Sequence, residues 1–170
     1  FMVGASLTIA GKAIVSLDYE RVAYDAMKLK EAAYDYGYGY GVEYIDNKYA
    51  NQDIKNYFKG SNIVRAGIEF RPISSLALRA GYNWQGSAVK SNVYNGGAEI
   101  YTSGTNPAYS FDGDTQNITL GLGYRYKMWY IDLAYQHTLQ KGVYKAYTPY
   151  AGNTDTPCAS LSRTYNNIVI

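Results

Sequence analysis

Asn62-Ile63-Val64-Arg65-Ala66-Gly67-Ile68-Glu69-Phe70-Arg71 leads into Pro72-Ile73-Ser74-Ser75 and then into Leu76-Ala77-Leu78-Arg79-Ala80-Gly81-Tyr82-Asn83-Trp84. In the first run Val64, Ala66, Ile68 and Phe70 alternate with Arg65, Gly67, Glu69 and Arg71. In the second, Leu76, Leu78, Ala80, Tyr82 and Trp84 alternate with Ala77, Arg79, Gly81 and Asn83. A period of two marks a strand, because successive Cβ atoms point to opposite faces. The break at 71–75 contains a proline, cannot extend a ladder, and reads as a tight turn. The stretch is therefore an antiparallel hairpin with one apolar face and one charged, glycine-containing face. Such a hairpin either packs on a soluble core, as in a sandwich, or faces lipid as part of a membrane barrel.

The same alternation spreads to both sides. Val3, Ala5, Leu7 and Ile9 form a weak strand, and Ala10-Gly11-Lys12 a short turn. From Ala13 to Tyr24, Val15, Leu17 and Tyr19 oppose Ser16, Asp18 and Glu20. Asn117 to Tyr126 sets Ile118, Leu120, Leu122, Tyr124 and Tyr126 against Thr119, Gly121, Gly123 and Arg125. After a turn at Lys127-Met128, Trp129, Ile131, Leu133 and Tyr135 alternate with Tyr130, Asp132, Ala134 and Gln136. Tyr165 to Ile170 begins a last strand. About seven strands thus form an all-β, antiparallel up-and-down meander in one domain. Short turns at 10–12, 71–75 and 127–128 alternate with long loops at about 25–61, 85–115 and 140–163. Short turns at one end and long loops at the other are the asymmetry of outer-membrane barrels.

Composition narrows the choice. Tyr numbers 21 and Gly 17 of 170 residues, against 4 Phe and 2 Trp, which argues against a helical protein. A formal charge of +2 makes no electrostatic claim on nucleic acid. No window of about 18 apolar residues offers a transmembrane helix, but barrel strands need only about 9–11 residues each. The chain starts at Phe1 and stops at Ile170 inside apparent strands, so it is expected to be part of a longer protein.

Three features favour lipid over a soluble core. Aromatic residues on the apolar face sit near strand ends: Phe70, Tyr126 and Trp129 by the short turns, Tyr82, Trp84 and Tyr135 towards the long loops. Two such belts suit the two interfaces of a bilayer. The other face carries charges of both signs in mid-strand: Asp18, Glu20, Arg65, Glu69, Arg79, Arg125 and Asp132. Glu69 is expected diagonal to Arg79, and Arg125 diagonal to Asp132, close enough to pair across strands. Gly67, Gly81, Gly121 and Gly123 share that face, where small residues relieve crowding as a sheet curves inward. The polar residues are therefore expected to line a lumen.

Val15-Ser16-Leu17-Asp18-Tyr19-Glu20, Arg65-Ala66-Gly67-Ile68-Glu69-Phe70-Arg71, Leu78-Arg79-Ala80-Gly81-Tyr82, Leu120-Gly121-Leu122-Gly123-Tyr124-Arg125 and Asp132-Leu133-Ala134-Tyr135 resemble FadL-type outer-membrane transporters. Each motif is degenerate, and the specificity lies in their order and spacing over most of the chain. The resemblance is to the C-terminal half of a fourteen-stranded barrel. It implies a bacterial outer-membrane location, outer-membrane lipid and a hydrophobic small molecule such as a long-chain fatty acid as partners, and a monomer when full length. The parts of the family that hold and release ligand, an N-terminal hatch and a kinked strand in the first half, have no counterpart here, so no ligand residue carries over. The rival readings are a non-transport barrel acting as adhesin or anchor, and a soluble sandwich.

Catalytic inventory is thin. His137 is the only histidine and falls on the apolar register; neither a Ser-His pair nor a metal set has the partners it needs. Asp112 and Asp114 faintly suggest a calcium loop, but the remaining ligands of that pattern are missing, and a solvated loop is expected. Cys158, the only cysteine, reads as an incidental loop thiol. No enzyme activity and no cofactor are expected. In the first long loop, Tyr34 to Gly41 is a Gly-Tyr repeat, and a helix is expected over Gln52–Lys59, capped by Asn51 and ended at Gly60.

Overall fold

The computed structural model describes residues 1–34, 42–94, 108–146 and 158–170. Nine strands are present among them: β1 (Met2–Ile9), β2 (Ala13–Val22), β3 (Lys30–Tyr34), β4 (Val42–Asp46), β5 (Ser61–Ile73), β6 (Leu76–Gln85), β7 (Tyr109–Tyr126), β8 (Trp129–Lys145) and β9 (Cys158–Val169). Seven form one antiparallel sheet in the order β1-β2-β5-β6-β7-β8-β9, so chain order is spatial order once the β3–β4 hairpin is set aside. The sheet is open, with β1 and β9 at its edges. The all-β meander read from the alternation is thus present. The Gly-Tyr repeat lies outside the described residues from position 35 to 41.

Pairing register sorts the side chains into rows. One row runs Leu7, Val15, Ile68, Ala80, Leu120, Tyr135 and Ile168, and its neighbour runs Ala5, Leu17, Ala66, Tyr82, Ile118, His137 and Asn166. Between them on the opposite face lie Ser6, Ser16, Gly67, Gly81, Thr119, Gln136 and Asn167. Strand identity and facing therefore hold across all seven strands, as a period-two pattern requires.

The short turns explain their own residues. At the β1–β2 turn Lys12 N–H donates to the Ile9 carbonyl at 3.0 Å, and both central residues are left-handed, Ala10 at φ 49° and Gly11 at φ 64°. That is the sign of a hairpin turn matched to strand twist. Glycine takes this region freely; alanine pays about 1–2 kcal/mol. Ala10→Gly is expected to raise the urea midpoint of refolding by an amount equivalent to about 0.5–1 kcal/mol, part of the gain being offset in the unfolded chain. A lowered midpoint would contradict the turn geometry. At the β5–β6 connection the turn is tighter than 71–75. Strand β5 continues to Ile73 through a register shift between Phe70 and Ile73, which places Pro72 in the irregular stretch. A proline lacks the ladder N–H and is tolerated at such a bulge.

Loop boundaries differ most from expectation. The first long connection contains a 3₁₀ turn, Tyr24–Ala26, the β3–β4 hairpin, and helix α1 (Lys48–Tyr57). Helix α1 starts one turn earlier than expected, because Asn47 rather than Asn51 is its cap, accepting from Ala50 N–H at 2.9 Å. Asn51 instead holds Leu29 at both backbone groups, at 2.6 and 3.0 Å. The segment 85–115 includes a short helix α2 (Ser91–Tyr94) and the start of β7 at Tyr109, eight residues ahead of the expected Asn117. Strand β9 likewise begins at Cys158, so this cysteine opens a strand instead of lying in a loop. Buried apolar residues are few: Ile54, Ile63, Ala77, Val89, Val93 and Val143.

Candidate functional site: a charged sheet face opposite an uncovered apolar one

Arg79 on β6 is the hub of the polar face. Its Nε donates to Glu69 Oε2 at 2.7 Å, Nη1 to Asp132 Oδ1 at 2.7 Å, and Nη2 to the Tyr130 hydroxyl at 3.2 Å. Tyr130 OH in turn donates to Asp132 Oδ2 at 2.6 Å, and Arg71 Nε to Glu69 Oε1 at 2.7 Å. Glu69 and Arg79 are direct cross-strand partners, not diagonal ones. Asp132 is diagonal to Arg125 as expected, since Arg125 pairs with Tyr130. Its ionic partner, however, is Arg79, which lies two strands away on β6.

Glycine makes that reach possible. Arg79 pairs with Gly121 and Asp132 pairs with Gly123, so the guanidinium crosses β7 over two residues without side chains. A Cβ on Gly123 would stand 2.7 Å from Asp132 Oδ1, 3.1 Å from Tyr130 OH and 3.4 Å from Arg79 Nη1. One on Gly67 would meet only Ser16 Oγ, at 3.0 Å. Gly123→Ala is expected to destabilise by about 1–3 kcal/mol through overpacking of a well-satisfied site, and Gly67→Ala by less. Unfolding midpoints of the two variants check this, and equal loss would show that the crossing is not what needs the glycine.

The other expected polar residues fall on the same face. Arg65 pairs in register with Asp18 but makes its ion pair with Glu20, at 2.7 Å. Asp18 leans over Gly4 on β1, where any Cβ would collide with its carboxylate. Asp18 and Arg125 make no ion pair among the described residues. Further along, Thr138 donates to Asn117 at 2.6 Å and Arg163 meets Asp112 at 3.3 Å. Asp114 accepts from Ser87 N–H at 2.9 Å. The two aspartates therefore lie within β7, not in a loop, and have partners in Arg163 on β9 and Ser87 after β6, and among the described residues no group of three His, Cys, Asp or Glu could hold a metal.

Among the described residues nothing covers the opposite face. Ile68, Leu78, Leu120 and Leu133 are 47, 41, 53 and 41% exposed. None of the buried apolar residues among those described comes from the rows between Trp129 and Trp84 on this face, and no described element packs on it as a second layer. The apolar stretch on β7 runs from Tyr126 to Ile118, with Gln116 next on that face. Aromatic placement is mixed. Tyr126 and Trp129 pair at the short turn, with Lys127 Nζ 5.4 Å from the Tyr126 ring centroid, and Phe70 pairs with Leu78 two rows further from it. Trp84 and Tyr82 lie in the last apolar rows before the long connections, joined by Tyr19, which pairs with Val64 opposite Trp84. Tyr135 sits in the central row opposite Leu120; only its hydroxyl reaches a row further, to Asn166 at 2.8 Å. His137 pairs with Ile118 on this face and its Nδ1 lies 2.8 Å from the same Asn166 oxygen.

Sequence reading missed Tyr130 and Tyr19. Each differs from its neighbours only by the row in which pairing places it, and no local pattern marks it. Comparison of the chain with protein-family models, curated proteins and solved structures yields no match in any of the three.

Proposed function

We propose that this sheet is part of the wall of a bacterial outer-membrane β-barrel, fourteen-stranded when whole, which takes up hydrophobic compounds such as long-chain fatty acids passively. The observation that carries the reading is the pairing of opposites across one sheet. Seven strands present an uncovered apolar face, while the reverse face holds a hydrogen-bonded set of ionised side chains. In water, a contiguous apolar patch of this extent is an aggregation liability. In hydrocarbon it is at home, and the paired charges face an aqueous interior. The apolar run on each central strand is close to the roughly 9–11 residues that cross a bilayer. No helix of the described residues is long and apolar enough to cross a membrane. The motif resemblance supplies the solute class, and tyrosine-rich connections suit capture of amphiphiles, since the ring is apolar and the hydroxyl polar.

The test is reconstitution. The protein refolded into lipid vesicles is expected to bind a long-chain fatty acid saturably and to speed its passage relative to empty vesicles. A folded, vesicle-inserted protein that does neither would end the uptake reading. A protein that stays soluble and monodisperse without detergent would end the barrel reading with it.

One feature favours a second reading. Strands β7 and β8 run for 18 and 17 residues, well past the apolar rows, and carry ordered sheet beyond them. A projecting platform suits a surface adhesin or anchor. Vesicle-inserted protein that gathers on a surface polymer without moving any solute would favour it.

A further inference from the structure

A hollow of about 110 Å³ opens on the polar face beside the Arg79 knot, at the short-turn end. Its floor is Ala77 and Gly123, paired in register, both small and buried. Arg71 stands on one side, Arg125 and Tyr130 on the other, and the Ser74-Ser75 turn closes the end. Three guanidinium groups (Arg71, Arg79, Arg125) face two carboxylates (Glu69, Asp132), leaving one positive charge in excess. Arg79 spends all three nitrogens on Glu69, Asp132 and Tyr130 and is held in place. Arg71 spends only Nε on Glu69. Arg125 gives no side-chain hydrogen bond to any described residue; its backbone N–H is fixed to Ser75 O at 2.8 Å. The hollow is therefore lined by one exposed planar fork with no side-chain partner among the described residues, a second that uses only Nε, and two serine hydroxyls.

We propose that this hollow is an oxyanion site, and that its ligand is the carboxylate head group of an acidic amphiphile. A free guanidinium matches a carboxylate bidentately. The excess charge is single, which suits a monoanion better than phosphate, whose charge at neutral pH is about −1.5 to −2. A neutral molecule would leave the charge uncompensated. The proposal deepens the uptake reading by specifying an acidic head group, held near the end with short turns. It rests on that reading only for the ligand's apolar tail.

The full chain, refolded in neutral detergent, is titrated calorimetrically with decanoate, decanol and inorganic phosphate at fixed ionic strength. Decanoate is expected to bind saturably, with affinity at least tenfold weaker in Arg125→Gln and unchanged in Arg163→Gln, whose guanidinium serves the opposite end of the sheet. The Ser74→Ala/Ser75→Ala double variant, which leaves every ion pair intact, is expected to weaken binding severalfold and carries the test should Arg125→Gln fail to refold. Equal affinity in wild type and both site variants, or decanol binding as tightly as decanoate, overturns the site. Phosphate outcompeting decanoate overturns the head-group assignment. Decanoate bound here with no uptake into vesicles would sink the transport reading and leave the site standing.

Discussion

Leu120→Arg is expected, on the proposed barrel reading, to destabilise the folded protein in lipid vesicles by about 2–4 kcal/mol, the cost of an arginine on a lipid-facing position near the bilayer midplane. Leu120 occupies the central row of the apolar face, between Ala80 and Tyr135, and is half exposed, with no described residue packed over it. Its neighbour Thr119 points to the polar face beside Gly81 and Gln136. Thr119→Arg places the same side chain one residue away and is expected to cost under about 1 kcal/mol, within the range of substitutions that reach water. Urea titrations of the two variants in vesicles give the comparison directly. Equal costs would mean that the two faces see the same medium, and the assignment of lipid to one of them would fall. The reverse order would place the polar face outward.

Arg79→Met is the second large effect. It leaves Glu69, Asp132 and Tyr130 without the cation they share, and charged hydrogen bonds of this kind are worth about 1.5–3 kcal/mol where solvent is restricted. The site is partly open, with Arg79 side-chain exposure of 35% and Asp132 of 46%, so solvent screens the pairs and the expected total is about 1–3 kcal/mol, at the modest end for three contacts. A double-mutant cycle isolates the coupling that matters. Arg79→Met combined with Asp132→Asn is expected to be non-additive, whereas Arg125→Gln combined with Asp132→Asn is expected to be additive. Coupling of Asp132 to Arg125 instead would restore the neighbouring-strand pair that the spacing alone suggests.

That contrast shows what alternation can and cannot convey. Facing was legible: every residue from Asp18 to Asp132 expected on the polar side is there, because a strand's period fixes face whatever its partners are. Register was partly legible, since short turns tie β5 to β6 and β7 to β8. Ion-pair choice was not, because Arg79 is long enough to bypass β7 and does so only where Gly121 and Gly123 leave the way open. The ends of strands were read too short for a similar reason. Tyr109 to Gln116 and Thr138 to Lys145 carry no continuous apolar stripe, only isolated apolar positions such as the Phe111–Val143 pair, and the two segments are held by pairing with each other, bulge included. The cap of α1 was misplaced between two asparagines four residues apart. Both make backbone hydrogen bonds and both reach Leu29, and residue type alone does not say that Asn47 caps Ala50 while Asn51 turns its side chain to Leu29.

The Arg79 knot joins three strands, Glu69 on β5, Arg79 on β6 and Asp132 on β8, and spans β7 over its glycine gap. Sliding any of these past its neighbour while keeping the same side outward takes a two-residue step, roughly 7 Å. That would tear a carboxylate from a guanidinium that has nowhere to follow. The middle of the sheet is thus pinned against shear at a single point. Strands β1, β2 and β9 lie outside the clasp, so lateral give in this sheet belongs to its flanks.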